Sequence, residues 1–251
     1  MSAETKATGS LTAIGSGIKS VAHLTLEARA HVESADIVLI CSADAVTDAY
    51  LRELNPNSED LHVYYGIDVP RRETYQAMAG RMVEMVRRGM DVVVVFYGHP
   101  GVFVDPTFQA INQVREMGLP AVMLPGISAE DCMIADLEID PASQGMQTYE
   151  ATYYLTRKIQ IDVRVPLVLW QVALVGDPSY PEGGIRLTKL GDIDRKTPTV
   201  VLPRPPSGDL RGRPTSAGTS ENLARGLKRI GPGACHWYLN HVRATQGAGV
   251  Y

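Results

Sequence analysis

An apolar strand that stops abruptly in a turn rich in glycine and proline is the feature that most limits how this chain can fold. Residues 92–96, Val-Val-Val-Val-Phe, form an unbroken apolar run, which predicts a strand buried on both faces of a parallel sheet. Residues 97–103, Tyr-Gly-His-Pro-Gly-Val-Phe, follow directly. Proline lacks a backbone N–H, and glycine adopts conformations that other residues avoid, so this turn ends the strand. Ligands dock at this edge in open α/β sheets, and we expect a binding site here.

Strands and helices alternate along the first half of the chain, which predicts an α/β fold with a parallel sheet covered by helices on both faces. The expected strands lie near residues 11–18, 36–41, 91–97 and 120–124, and the expected helices near 24–33, 48–54, 70–88 and 106–117. A further helix is expected to follow Ser128 and Asp131, which have the spacing of a capping box.

A second, smaller group of strands predicts a second domain. These strands are expected near residues 147–153, 166–172 and 198–203. Pro125 and Gly126 mark the junction, so we predict an N-terminal α/β domain over residues 1–125 and a shortened C-terminal α/β domain over residues 126–204. Residues 205–251 begin with a stretch rich in Pro, Gly, Ser and Arg, which is typical of a flexible linker and tail.

Composition excludes several classes of partner. The formal net charge is −4 over 251 residues, and charges of both signs are interspersed, so no nucleic-acid partner is expected. The longest apolar run is far shorter than the roughly 20 residues that span a membrane. The first ten residues are polar and lack the apolar core of a signal peptide. We therefore expect a cytoplasmic protein with no membrane partner.

Cysteine and histidine spacing predicts neither structural disulfides nor a metal site. Cys41, Cys132 and Cys235 are odd in number and scattered, without Cys-x-x-Cys spacing. His236 and His241 lie near Cys235, but their spacing matches no common zinc site. We expect a reduced protein that binds no metal.

An arginine and a tyrosine share one face of the helix expected near residues 70–88. Arg71 and Tyr75 are four residues apart in its first turns, where the helix dipole is positive, and Tyr64 and Tyr65 precede them. A cation and a positive dipole both favour phenolate, which predicts a lowered tyrosine pKa in this cluster. The same spacing also fits a plainer arrangement, in which Arg71 forms a surface ion pair and Tyr75 packs at the core edge.

Residues 91–103 and 124–131 resemble the S-adenosylmethionine (SAM) site of the tetrapyrrole-methylase superfamily. With residues 149–152 and 169–171 added, in order along the chain, the resemblance narrows to the borosin-type peptide backbone α-N-methyltransferases. One such turn alone would also suit a strand-to-helix connection in any α/β enzyme. Gly15-x-Gly17 is the start of a nicotinamide-cofactor fingerprint, but Ser20 stands where that fingerprint expects its third glycine.

The resemblance implies a two-domain class III SAM methyltransferase fold, with SAM in the cleft between the domains. Carried over residue by residue, the cofactor contacts would be Tyr97, His99, Val102, Phe103, Ser128, Ala129, Gln171, Pro198 and Thr199. Tetrapyrrole methylases usually carry Asp where His99 stands, which argues against a porphyrinoid substrate. Between Gln171 and Thr199 the chain is shorter than the family pattern. A homodimer is also implied, and the methionine-rich helix near residues 70–88 agrees with it.

The resemblance further implies roles for the arginine–tyrosine cluster in catalysis. A peptide nitrogen is a poor nucleophile because its lone pair is delocalised into the carbonyl group, so methylation requires removal of its proton. Tyr75 would accept that proton as a general base. Tyr65 and Arg71 would donate hydrogen bonds to the amide oxygen as it becomes negative, and Tyr64 is a further candidate.

The sequence therefore predicts a SAM-dependent α-N-methyltransferase that acts on backbone amides of a ribosomal precursor peptide. Residues 205–251 show no long helix and no core peptide rich in Val and Ile, so we expect the precursor to be a separate chain. Two alternatives stay open. One is a tetrapyrrole-type C-methyltransferase, and the other is a non-catalytic partner that binds SAM or a peptide.

Overall fold

The computed structural model describes residues 9–66, 69–157, 159–171 and 200–201. The chain divides into two compact units, of which the first reaches Cys132 and the second begins at Met133. The predicted domain ranges, 1–125, 126–204 and 205–251, stay predictions, and the last of them lies outside the described residues.

Five strands form the sheet of the first unit. They are β1 (Ser10–Gly15), β2 (Ile37–Cys41), β3 (Ser58–Asp60), β4 (Asp91–Phe96) and β5 (Ala121–Met123). All pairings are parallel, in the order β3-β2-β4-β1-β5. Gly15 pairs with Phe96 and Cys41 also pairs with Phe96, so β1, β2 and β4 end at one carboxyl edge. The parallel sheet predicted from the sequence is confirmed.

Helices cover both faces of this sheet, also as predicted. They are α1 (Leu26–Ser34), α2 (Ala45–Leu54), α3 (Arg71–Arg87) and α4 (Asp105–Glu116), and a short 3-10 helix (Leu61–Tyr64) precedes α3. One apolar cluster joins α3 and α4 to the sheet through Met78, Met82 and Val114. The other joins α1 and α2 to the opposite face through Val32 and Leu51. Alternate residues of each strand pack into one cluster or the other, because successive side chains of a strand point to opposite faces of the sheet.

Helix α3 starts directly after Pro70, whose carbonyl accepts hydrogen bonds from the N–H groups of Glu73 and Thr74. It ends beside Gly89, which adopts a φ of 86°, a conformation that glycine tolerates better than other residues. Met78, Met82 and Met85 are buried in the core of the first unit. These methionines therefore lend no support to a dimer interface on this helix.

The second unit contains a separate three-stranded sheet. Helix α5 (Ala129–Leu137) crosses the boundary between the units, and α6 (Pro141–Gln144), β6 (Gln147–Glu150), α7 (Ala151–Arg157), β7 (Leu167–Trp170) and β8 (Val200–Val201) follow. β6 and β7 are parallel, and β8 is antiparallel to β7. None of the helices in the described ranges has the length and apolar character that crossing a membrane requires.

One predicted strand of this unit is partly wrong. The sequence predicted a strand over residues 147–153, whereas β6 ends at Glu150 and α7 begins at Ala151. The Glu150 carboxylate accepts a hydrogen bond from the Tyr153 N–H at 2.7 Å. This bond satisfies one of the free N–H groups of the first helical turn, and it stabilises a helix where the aromatic residues suggested a strand.

Candidate functional site

The turn after β4 is tied to the ends of both neighbouring strands. The Gly17 N–H donates to the Gly98 carbonyl at 3.2 Å, and the Gly98 N–H donates to the Gly17 carbonyl at 3.0 Å. On the other side, the Tyr97 N–H donates to the Cys41 carbonyl at 3.2 Å. Gly98 has a φ of 74°, which a residue with a side chain rarely adopts. The turn is therefore held at the carboxyl edge of the sheet, where a site was predicted.

Glycines at positions 15, 98 and 126 allow three backbone segments to pack together at this edge of the sheet. A Cβ placed on Gly15 would lie 2.0 Å from the Gly98 carbonyl oxygen. One placed on Gly126 would lie 3.3 Å from the same oxygen. Gly15 belongs to the Gly-x-Gly motif that begins a nicotinamide-cofactor fingerprint. In the structure, Gly15 allows β1 to pack closely against the turn after β4.

His99 is anchored within its own turn. Its Nδ1 accepts a hydrogen bond from the Gly101 N–H at 2.9 Å, and the Val102 N–H donates to the His99 carbonyl at 3.2 Å. A neutral imidazole with an accepting Nδ1 carries its proton on Nε2. His99 therefore offers one ring donor, Nε2–H, whose orientation is fixed by the turn.

The predicted capping box at the start of α5 is confirmed. The Ser128 N–H donates to Asp131 Oδ2 at 2.6 Å, and the Asp131 N–H donates to Ser128 Oγ at 3.2 Å. Hydrogen bonds from Ser128 lower the pKa of Asp131 below its usual value. A Cβ on Gly126, two residues before Ser128, would lie 3.3 Å from the Gly98 carbonyl oxygen, so α5 begins close to the turn that carries His99.

Two of the predicted cofactor contacts have strained backbones. Phe103 has a φ of 58° and Gln171 a φ of 55°, both in the left-handed region. Such values are uncommon for bulky residues, and they concentrate at binding sites and active sites. Phe103 is also 41% exposed, which is unusual for so large an apolar side chain.

The structure places the predicted contacts in different parts of the chain. The first unit contains Tyr97, His99, Val102, Phe103, Ser128 and Ala129, and the second contains Gln171. Pro198 and Thr199 lie outside the described residues.

The three predicted catalytic residues meet at the beginning of α3. Arg71 and Tyr75 lie in its first turns, and Tyr65 follows the 3-10 helix. The Tyr65 and Tyr75 hydroxyls share a hydrogen bond. Thr74 Oγ1 donates to the Tyr64 carbonyl at 3.3 Å and so fixes the tyrosine-bearing loop to the helix. Tyr64, Tyr65 and Tyr75 all pack, half-buried, against the α3 side of the core.

The expectation of a lowered tyrosine pKa is wrong for Tyr75. Burial raises the pKa of Tyr75 above its ordinary value of 10.0, and this is the largest effect. The charge of Arg71 and the hydrogen bond from Tyr65 act in the lowering direction, as the sequence suggested, but they do not overcome burial. Desolvation disfavours the charged form, so Tyr75 is a neutral phenol at neutral pH.

Arg71 holds a donor that none of the described residues engages. Its Nη2 atom is buried and has no hydrogen-bond partner among them. A buried, unsatisfied donor costs about 1–3 kcal/mol, and more when the group is charged. Native proteins rarely leave such a group unpaired, which makes Nη2 a candidate donor to a bound ligand.

Three further side chains beside this cluster were not selected from the sequence. Cys41 Sγ lies 3.7 Å from His62 Nε2, and His62 Nδ1 lies 2.8 Å from Asp60 Oδ1. Burial raises the pKa of the Cys41 thiol to about 12. The residues meet because β3 pairs with β2, a pairing that the sequence did not predict. Within the described ranges, no group of three or more His, Cys, Asp or Glu residues is arranged to hold a metal ion.

Comparison with known proteins shows that this chain belongs to the tetrapyrrole (corrin/porphyrin) methylase family, whose model matches residues 10–160. The chain is 48% identical over 171 residues to a methyltransferase and ribosomally synthesized cyclic peptide gymnopeptides precursor of Gymnopus fusipes, covering 68% of this chain and 41% of that protein. It is 45% identical over 190 residues to the corresponding omphalotin A precursor of Omphalotus olearius, covering 76% and 45%.

The chain spans less than half the length of these relatives. Other similar proteins include a type I borosin cyclic peptide precursor of Coprinopsis marcescibilis, 49% identical over 172 residues. Among solved structures, uroporphyrin-III-C-methyltransferase from Thermus thermophilus is similar with a TM-score of 0.47 and 21% identity, covering 64% of this chain and 68% of that one. The resemblance to tetrapyrrole methylases and borosin methyltransferases, and the fold class, are confirmed.

Proposed function

We propose that this protein is a SAM-dependent α-N-methyltransferase that acts on backbone amides of a peptide supplied as a separate chain. The observation that carries the proposal is the buried Nη2 of Arg71, which has no partner in the described part of the chain and lies beside the Tyr65–Tyr75 pair. An amide that enters this cluster would bring the missing acceptor, its carbonyl oxygen, and next to it the N–H to be methylated. The relatives named as methyltransferases and cyclic peptide precursors support the same substrate class.

The residues at the carboxyl edge of the first sheet suit a bound SAM. Among the described residues, a Cβ on Gly98 would meet Ile18 alone, at 3.5 Å, so they leave the backbone of this turn open to a ligand. His99 offers a donor of fixed orientation, and the start of α5 offers backbone N–H groups. When bound, SAM supplies a methyl group on a positively charged sulfur. The residues proposed to hold it are Tyr97, His99, Val102, Phe103, Ser128, Ala129, Gln171, Pro198 and Thr199.

Arg71 is proposed to donate to the amide oxygen. Tyr65 has a single hydroxyl proton, which it cannot donate to that oxygen while it also relays the proton of Tyr75, so Tyr65 is assigned to the proton path. As the nitrogen loses its proton, negative charge develops on the oxygen, and a donor that is already in place stabilises that charge without reorganisation. Nη2 of Arg71 has this property because no other described group engages it. The guanidinium is planar and always charged, so it remains a donor at any working pH.

Tyr75 is proposed to take the amide proton. Because its raised pKa keeps it protonated at neutral pH, it can accept a proton only while it passes its own to a neighbour. Tyr65 is the first such neighbour. The hydrogen bond between the two hydroxyls lowers the pKa of Tyr75, so Tyr65 is its donor, and both hydroxyls must rotate before Tyr75 can pass its proton to Tyr65. Tyr75 is therefore the first member of a relay, rather than a free phenolate as the sequence suggested.

Methyl transfer to added peptides tests the proposal. The purified chain is incubated with methyl-labelled SAM and with peptides encoded by its neighbouring genes, and mass spectrometry locates the label. We expect label on backbone nitrogens of the added peptide. A matched peptide whose backbone amides are already N-methylated is the control and should accept none. Label on a porphyrinoid macrocycle would favour the tetrapyrrole-type alternative, label on the protein itself would refute a separate substrate, and SAM binding without transfer would favour a non-catalytic partner.

We also propose that the protein is a cytoplasmic homodimer. The exposed side chains of Phe108 on α4 and Val122 on β5 support an interface, as does the position of β5 at the edge of its sheet. Light scattering at micromolar concentration should give twice the 27.3 kDa mass of one chain. The mass of a single chain would contradict the dimer.

A further inference from the structure

Asp60, His62 and Cys41 form a hydrogen-bonded series that the proposed roles do not use. Asp60 Oδ1 accepts from the His62 backbone N–H at 2.8 Å and lies 2.8 Å from His62 Nδ1. His62 Nε2 lies 3.7 Å from Cys41 Sγ. The imidazole therefore has a carboxylate on one nitrogen and a thiol on the other.

The protons of this series can be assigned from its chemistry. Burial raises the pKa of the Asp60 carboxyl, but hydrogen bonds from the His62 backbone and ring outweigh this effect and hold the pKa below its usual value. Asp60 is thus an acceptor, and Nδ1 of a neutral His62 carries the proton. Cys41 keeps its proton because its pKa is raised to about 12, so the S–H donates weakly to Nε2. The lone pair on Nε2 is consequently available to a stronger donor.

This imidazole lies beside the tyrosines that contact the proposed substrate. The ring centres of His62 and Tyr65 are 6.1 Å apart, and the Tyr65 N–H donates to the His62 carbonyl at 2.9 Å. Cys41 is close enough to Tyr75 to raise the pKa of that phenol electrostatically. The His62 side chain is 44% exposed, so water reaches it. His62 therefore lies next to the half-buried tyrosine pair and is open to solvent.

We propose that His62, oriented by Asp60, is the final proton acceptor of the methylation, an inference that rests on the proposed function. The amide nitrogen loses one proton for each methyl group that it gains. That proton moves to the Tyr75 oxygen while the Tyr75 hydroxyl proton moves to the Tyr65 oxygen. The Tyr65 hydroxyl proton then passes to His62 Nε2 through a bridging water. Both tyrosines end the cycle as neutral phenols, and the imidazolium, paired with Asp60, releases the proton to solvent.

The Asp60–His62 pair supplies the terminal base that the tyrosine pair lacks. Both phenols are poor bases at neutral pH, and a relay of two phenols without a terminal acceptor would leave the proton in the site. Imidazole is the side chain best suited to accept and release protons at this pH. A carboxylate on the opposite nitrogen stabilises the imidazolium and fixes the ring orientation, as in other histidine bases.

Chemical rescue tests this inference. His62→Ala should lower kcat by about 10²–10⁴ and leave SAM affinity unchanged, since His62 is not among the residues proposed to hold SAM. Because the side chain is exposed, free imidazole added to His62→Ala should restore activity in proportion to its concentration. His62→Gln, measured alongside, keeps a polar side chain that cannot carry the proton, and it should be equally slow. Asp60→Asn should be slowed less than His62→Ala.

His31→Ala is the matched control, because His31 lies on α1 beside a cavity at the amino ends of β1 and β4. It should have wild-type activity and show no response to imidazole. Full activity of His62→Ala or His62→Gln would overturn the inference, and so would loss of activity without imidazole rescue in a folded His62→Ala that binds SAM. If the wild-type protein methylates no peptide, the proposed function itself fails, so the two failures are distinguishable.

Discussion

Arg71 and Tyr75 lie one helical turn apart at the beginning of α3, and the charge of Arg71 opposes the effect of burial on the Tyr75 phenol. Burial is the larger effect, so the pKa of Tyr75 is raised. Arg71 meanwhile keeps one buried donor free of any described partner. Arg71 and Tyr75 are therefore better suited to bind an amide than to keep Tyr75 ionised as a phenolate.

Tyr75→Phe should slow methylation of the true peptide by about 10²–10⁴ and leave SAM affinity nearly unchanged. The hydroxyl is the only group lost, and we expect it to meet the amide proton rather than the cofactor. Single-turnover kinetics and calorimetry with SAM measure the two effects. Near-normal turnover would show that Tyr75 only packs against the core, and loss of SAM binding would assign the residue to the cofactor pocket.

Arg71→Met should nearly abolish methylation without destabilising the protein. Methionine keeps much of the apolar stem and removes the unsatisfied donor, so the free energy of unfolding should stay the same or rise by up to about 1 kcal/mol. Arg71→Lys should also be slow, because an ammonium cannot reproduce the planar fork of donors. Urea denaturation of the three proteins supplies the comparison. A marked destabilisation by Arg71→Met would indicate that Arg71 is structural.

SAM should bind the intact protein in the absence of peptide, and Gly15→Ala should weaken that binding. A Cβ on Gly15 would lie 2.0 Å from the Gly98 carbonyl oxygen, so the turn after β4 must move. Overpacking of this kind costs about 1–3 kcal/mol of stability. Calorimetry measures the SAM affinity, and thermal unfolding measures the stability.

Gly80→Ala in α3 is the control for the glycine substitution. A Cβ at Gly80 would have no neighbour within 4 Å in the described part of the chain, and alanine favours a helix by about 1 kcal/mol over glycine. This variant should be more stable and bind SAM normally. If wild-type protein gives neither heat nor a thermal shift with SAM, the cofactor assignment is wrong.

Alkaline stability should depend on Cys41. Burial raises the pKa of the folded thiol from 9.0 to about 12, so the unfolded thiol ionises first as the pH rises. The stabilising contribution is fully present below pH 9 and is lost between pH 9 and about 12, by up to roughly 1.4 kcal/mol per pH unit. Cys41→Ala should therefore lose less stability over this range, although the raised pKa of Tyr75 acts in the same direction. Parallel curves for the two proteins, from urea unfolding at several pH values, would refute the assignment.

Local patterns predicted the framework of the first unit well. β1, β2 and β4 are apolar runs bounded by turns in the sequence. Their burial, and the position of the Gly-x-Pro-Gly turn after β4, could therefore be predicted from the order of residue types along the chain. The capping box of Ser128 and Asp131 is likewise a matter of spacing. β3 was missed because Ser58–Asp60 is polar and short, and its strand conformation depends on pairing with β2.

The candidate site was predictable only in part. The i,i+4 spacing alone predicted that Arg71 and Tyr75 share one face of a helix, because helical geometry is local. The direction of the Tyr75 pKa shift was not predictable from this spacing. It depends on how deeply the core residues bury the phenol, and on the electrostatic effect of Cys41 at the end of strand β2. His62 was overlooked for the same reason.

The sequence by itself determined the family, the parallel character of the first sheet, the position of its Gly-x-Pro-Gly turn and the residue types available for amide chemistry, because motifs and periodicity depend only on residues that are close along the chain. The tertiary structure decided which donor is left unpaired, which phenol stays protonated and which imidazole lies next to it. Desolvation of Tyr75 and the contact between Cys41 and His62 depend on distances across strands β2 and β3 and helix α3, and those distances exist only once the chain has folded.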